Sequence, residues 1–124
     1  MTVVETTWDA YRATVRRREA DAAAMRAARR DEAWRVAHEA AAMLRGQFGA
    51  SRVVVFGSLV EDGGRWFGAG SDIDLAAWGI PTADYLVAVA RLQDVSTRFS
   101  IDLVAMERCP ERLRDAIALD GVDL

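Results

Sequence analysis

At 124 residues the chain is long enough for one core and too short for two. Its net charge of −3 argues against broad, sequence-independent nucleic-acid binding, which normally needs a basic excess. One cysteine, Cys109, excludes an internal disulfide, and no apolar run reaches the roughly 18 to 20 residues of a membrane helix. The N-terminus MTVVETTWDAY lacks the basic-then-apolar order of a signal peptide. The expectation is a soluble cytoplasmic protein, with neither membrane nor direct nucleic-acid partners.

In chain order, Trp8 to Gln47 has no proline and no glycine before Gly46, and is rich in alanine, arginine and glutamate, all helix formers. Trp8, Tyr11, Val15, Ala22 and Met25 recur at helical spacing, and the stripe resumes after Arg29-Arg30 with Ala33, Val36, Ala37, Ala40, Met43 and Leu44. The second part, about Asp31 to Gln47, reads as a core-packed helix ended by Gly46 and Gly49. The first part either continues it or forms a separate helix after a bend near Arg30. Arg52 to Phe56 is a β-branched run without polar alternation, as in a strand covered on both faces. Ser71 to Trp78 alternates acidic and apolar residues at its start, which marks a strand with one polar face. Pro81-Thr82 opens a predicted helix from Ala83 to Arg98, and Phe99 to Met106 repeats the strand pattern with a single aspartate. Pro110 opens a last helix through Leu119, which Gly121 ends. The order of helices and strands predicts an α/β (α+β) domain, a small mixed sheet flanked by helices. Residues 1–30 form an extra N-terminal helical arm and residues 31–124 the domain proper.

The chemistry gathers between Val53 and Gly79. Asp72 and Asp74 stand two apart, so in a strand both side chains leave one face while Ile73 and Leu75 point to the core. Asp102, on a neighbouring strand, would add a third carboxylate to that face. Like charges so clustered raise one another's pKa values unless divalent cations compensate, and all-oxygen donors select magnesium or manganese. Gly57-Ser58, at the end of a buried strand, lets the backbone approach a ligand, and a following helix would aim free N–H groups at an anion. A phosphate cradle facing a carboxylate cluster is the layout for metal-assisted phosphoryl or nucleotidyl transfer.

The FGS of Phe56–Ser58, thirteen residues, the DID of Asp72–Asp74 and a later hydrophobic-Asp-hydrophobic strand together resemble the DNA polymerase β-type nucleotidyltransferase superfamily. The small size and the tail SIDLVAMERCPERLRDAIALDGVDL look like the minimal nucleotidyltransferases encoded beside HEPN ribonucleases. The resemblance covers about Asp31 to Leu124. It implies that Gly57 and Ser58 hold the triphosphate, that Asp72 and Asp74 bind two magnesium ions, and that Asp102 binds the catalytic one. Arg65 joins the nucleotide-binding set as a residue able to meet the triphosphate, against the default of a solvent-facing arginine. The implied role is that of a type VII-like antitoxin, which transfers AMP from ATP to a tyrosine of its HEPN toxin.

Other features admit plainer readings. Arg16-Arg17-Arg18 and Arg29-Arg30 are interleaved with acids, as on a solvated helix face or one that meets an acidic partner. Trp66 and Phe67 either fold back into the core or form an exposed aromatic pair that stacks on adenine or enters a partner. His38 reads as structural, and Cys109 lacks a companion for nucleophilic catalysis. The arm's alanine-rich stripe with Trp8, Tyr11 and Met25 could pack on the domain, pair with a second copy, or clamp the toxin. Two functional alternatives remain: an antitoxin that neutralises its toxin by stoichiometric binding, and a transferase of small molecules such as aminoglycosides.

Overall fold

A computed structural model describes residues 3–124, with side chains from residue 7 onward. Helix α1 (Val3–Phe48) leads into strand β1 (Arg52–Phe56), and β2 (Ile73–Trp78) returns beside it. Helix α2 (Tyr85–Leu92), strand β3 (Ile101–Ala105), helix α3 (Glu111–Asp120) and the two-residue strand β4 (Val122–Asp123) complete the chain. The sheet order is β3-β2-β1-β4, with β1 antiparallel to both its neighbours and β2 parallel to β3. The expected mixed sheet flanked by helices is therefore present.

With no proline, and no glycine before Gly46, to interrupt it, α1 runs unbroken through Arg30 for 46 residues, about 69 Å at 1.5 Å per residue. The arm continues the same helix and does not form a separate one. Gly46 lies inside the last turn, and the helix ends instead at Gly49. That glycine takes φ +72°, while its N–H and that of Ala50 donate to the carbonyls of Arg45 and Leu44 at 3.2 and 3.1 Å. A left-handed residue at this point is what glycine supplies most cheaply.

Only the C-terminal part of α1 enters the core. Ala33, Ala37, Ala40, Ala41 and Leu44 are buried against Val53, Val55, Ile73 and Leu75, and α2 adds Ala88 and Leu92 to the same layer. Small alanines let the helix approach the sheet closely. The opposite face, with Val54 and Ala76, is covered by Ile117 of α3 together with Met106 and Cys109. Both faces of β1 are thus covered, as its uninterrupted apolar run requires.

Helix α2 is shorter than the expected Ala83–Arg98, because Thr82–Asp84 forms a 3-10 turn and the helix stops at Leu92. Gln93 then turns its amide onto the free edge of β3. Its Nε2 donates to the Ile101 carbonyl at 2.7 Å, and its Oε1 accepts from the Ile101 N–H at 3.4 Å. Strand β4 was not anticipated. It brings Asp123 to Arg52, whose Nε donates to Oδ1 at 2.6 Å. Among the described residues, no helix is long and apolar enough to cross a membrane.

Candidate active site

The site grows from the register of β1 on β2. Phe56 pairs with Asp74, so the next residue, Gly57, meets the Asp74 side chain. Gly57 takes φ +78°, and a Cβ built there would fall 2.2 Å from Asp74 Oδ2. No side chain fits without displacing that carboxylate. Backbone and carboxylate share the bare surface that glycine leaves.

Ser58 follows in a single 3-10 turn, Gly57–Leu59, closed by the Val60 N–H on the Gly57 carbonyl at 3.0 Å and anchored by buried Leu59. The expected helix after Gly57-Ser58 does not form. The chain instead turns again through Asp62 and Gly63, both in left-handed conformation, because the glycine pair Gly63-Gly64 favours tight turns over helix.

On the second strand, Ile73 is fully buried, and Asp72 and Asp74 stand on either side of it. Asp72 is exposed and sits one residue before β2, while Asp74, within the strand, is half-buried. Asp102 of β3 is the direct register partner of Asp74. Paired residues of adjacent strands project from the same face about 4.8 Å apart, so the structure brings these two carboxylates together. Burial in the first place, then the negative charges of Asp102, Asp72 and Glu61, push the Asp74 carboxyl up to about 6. Glu61 joins the cluster from the turn after Gly57-Ser58; in the sequence it is one acid among several in a loop, with nothing to mark it.

None of Asp72, Asp74 and Asp102 forms an ion pair among the described residues. The donor set is all hard carboxylate oxygen, crowded and without a Lys or Arg partner among the described residues, and that chemistry fits a divalent ion such as magnesium. Among the described residues, no three His, Cys, Asp or Glu side chains converge into a ready-made metal cage.

Arg65 is placed elsewhere. Its guanidinium lies 4.9 Å over the exposed Trp66 ring and lines an open notch of about 330 Å³ with Arg26, Arg30 and Asp62. Ser58, Asp72, Asp74 and Asp102 do not line that notch. The aromatic pair divides: Phe67 is buried against Phe99, ring centroids 5.9 Å apart, whereas Trp66 is 63% exposed. His38 is on the exposed side of α1, beside Trp34.

Arg29 is the residue that sequence reasoning missed. Its Nε and Nη2 donate to the carbonyls of Gly68 and Ala69 at 3.3 and 3.0 Å, and its guanidinium stacks 4.7 Å over Phe99. Within the same turn, the Gly68 N–H donates to Ser71 Oγ at 2.9 Å. The long helix thereby holds the segment that delivers Asp72. No protein-family model matches the chain, and no curated protein is significantly similar to it.

Proposed function

We propose that the chain is a magnesium-dependent nucleotidyltransferase that moves AMP from ATP to a hydroxyl of a partner protein, as an antitoxin modifying a HEPN-type toxin would. One observation carries this reading: the side-chain-free surface of Gly57 lies directly against Asp74, which is paired with Asp102 and, among the described residues, forms no salt bridge. A carboxylate pair of this kind is costly to hold beside a bare backbone unless a charged ligand completes it.

At Gly57 the Asp74 carboxylate takes the place that a side chain would fill, and the Ser58 hydroxyl would serve as a donor to phosphate oxygens. Asp72, Asp74 and Asp102 would hold magnesium, which supplies charge neutralisation and lowers the pKa of an attacking oxygen. The acceptor hydroxyl oxygen bonds to the α-phosphorus, the bond from that phosphorus to the β-bridging oxygen breaks, and pyrophosphate leaves. Asp102, exposed and next to Asp74, takes the hydroxyl proton.

The test compares ATP labelled at the α-phosphate with ATP labelled at γ, in lysate of the source cells, for wild type and for Asp72→Asn and Asp74→Asn. The expected result is label on one small protein from α only, lost in both variants while they remain folded. Full transfer by either variant would sink the assignment. A second reading, neutralisation by stoichiometric binding, draws support from the exposed arm residues Trp8, Tyr11 and Met25. Under that reading a double Asp72/Asp74 variant still protects cells from the toxin.

A further inference from the structure

Among the described side chains, no residue of α1 before Ala33 is buried. Trp8, Tyr11 and Met25 are 56%, 60% and 73% exposed. A helical segment with no tertiary partner is marginal in water, since most helix stability in proteins comes from packing of an apolar face. Something covers this one, and the order of its residues says what.

Trp8, Val15 and Ala22 are seven apart, and so are Tyr11, Arg18 and Met25, offset from the first set by three. That is the spacing of a two-stranded coiled-coil seam. We propose that this segment pairs with the same segment of a second copy, the two helices running antiparallel with Trp8 level with Met25. The layers are then Trp8 on Met25, Tyr11 on Ala22 and Val15 beside Arg18, each repeated by the twofold axis.

Size and charge both favour this register. Each large ring meets a small or flexible side chain, and methionine sulfur makes favourable contacts with aromatic rings. Arg12 and Glu19 flank the same side of the seam, so each Arg12 lies beside the other copy's Glu19, twice by symmetry. On the other flank Thr14 faces Asp21, so no like charges meet on either flank, and the two Arg18 residues, in adjacent layers at the twofold axis, turn their heads apart into water. Arg12 also pairs with Asp9 within its own helix, but both are mostly exposed and such a pair holds it only weakly. Arg18 lays its aliphatic stem along the seam with its head in water, and a single polar seam position fixes register at some cost in stability.

A parallel pair would set Arg18 on Arg18 and Trp8 on Trp8. It would also bring the two sheet domains side by side. In the antiparallel pair the two Arg29 residues lie about 38 Å apart along the axis at 1.5 Å per residue, so the domains occupy opposite ends. The inference is independent of the catalytic reading, since it uses none of its residues.

The test is a charge swap on the full chain, read by sedimentation velocity over a dilution series, with circular dichroism to confirm that α1 remains helical. Wild type is expected to dimerise. Arg12→Glu alone and Glu19→Arg alone each weaken the dimer, by about fivefold or more for two repelling surface pairs. The double variant recovers it. Residues 12 and 19 are two turns apart on one helix and do not touch within a chain, so recovery arises only between chains. A monomer at every wild-type concentration would overturn the proposal and leave the face to a different protein. A dimer that the single reversals leave unchanged, or that the double variant fails to restore, would overturn it equally.

Discussion

Gly57 and Asp74 constrain one another, and each constraint is measurable. At φ +78°, any L-residue in place of Gly57 incurs about 1–2 kcal/mol of backbone strain, and its Cβ displaces Asp74 Oδ2. Gly57→Ala is expected to lower stability in denaturant titration by about that amount and to remove nucleotidyl transfer, because the carboxylate proposed to hold the metal is displaced. An alanine variant with full transfer would show that the bare backbone has no role. Asp74 gives a pH signature of unusual sign. Its carboxyl is raised from 3.8 to about 6, so between those values the folded state binds more protons than the unfolded state. Stability of the metal-free protein therefore falls as pH rises through that window, and stays at the lower value above it. The carboxylate is half open to water, which screens the effect, so the direction is the prediction. Asp74→Asn removes the slope and is more stable than wild type at neutral pH. Equilibrium unfolding with a chelator present, at either end of the window, decides it.

At the scale of elements, what the sequence made legible were patterns that one segment carries by itself. The apolar run Val53–Val55 announces a doubly covered strand, which is found, and the alternation of Asp72, Ile73, Asp74 and Leu75 announces a strand with one polar face, which holds at its start but gives way to buried Ala76. That Asp102 shares a face with Asp74 is legible because both flank apolar residues on strands, whereas their direct register is seen only in the structure. Interactions with main-chain atoms were not legible, since a carbonyl has no letter. Gln93 ends α2 early by bonding to the backbone of Ile101, and Arg29 reaches the carbonyls of Gly68 and Ala69 from 39 and 40 residues away. In sequence Arg29 is one more charge in a run beside acids. Its position gives a prediction. Arg29→Ala should cost about 1–2 kcal/mol for its hydrogen bonds and ring stacking. Amide exchange should quicken at Ser71 to Ile73 while α1 stays helical. Arg29→Lys restores the charge but not the planar group that spans two carbonyls and a ring, so it should rescue little. Unchanged exchange in Arg29→Ala would mean that the turn holds itself.

At the scale of the whole molecule, the fold separates its apolar and ionic demands. α1 and α2 seal one sheet face, α3 seals the apolar part of the other, and Asp74 with Asp102 stands on that second face where β1 gives way to Gly57. The domain therefore keeps a repelling cluster in its native state that the unfolded chain disperses. A cation that binds only the folded cluster must raise global stability by mass action, by about 2.7 kcal/mol at a hundredfold excess over its dissociation constant. Magnesium or manganese is thus expected to raise the melting temperature of wild type, and ATP with magnesium to raise it further. The Asp72→Asn/Asp74→Asn double variant should begin from a higher melting point, because the repulsion is gone, and respond to neither addition. Calcium-free, chelator-treated protein provides the baseline. An equal response in wild type and double variant would place the cation elsewhere on the molecule. No response in wild type would leave the acidic cluster without its ligand and favour neutralisation by binding alone.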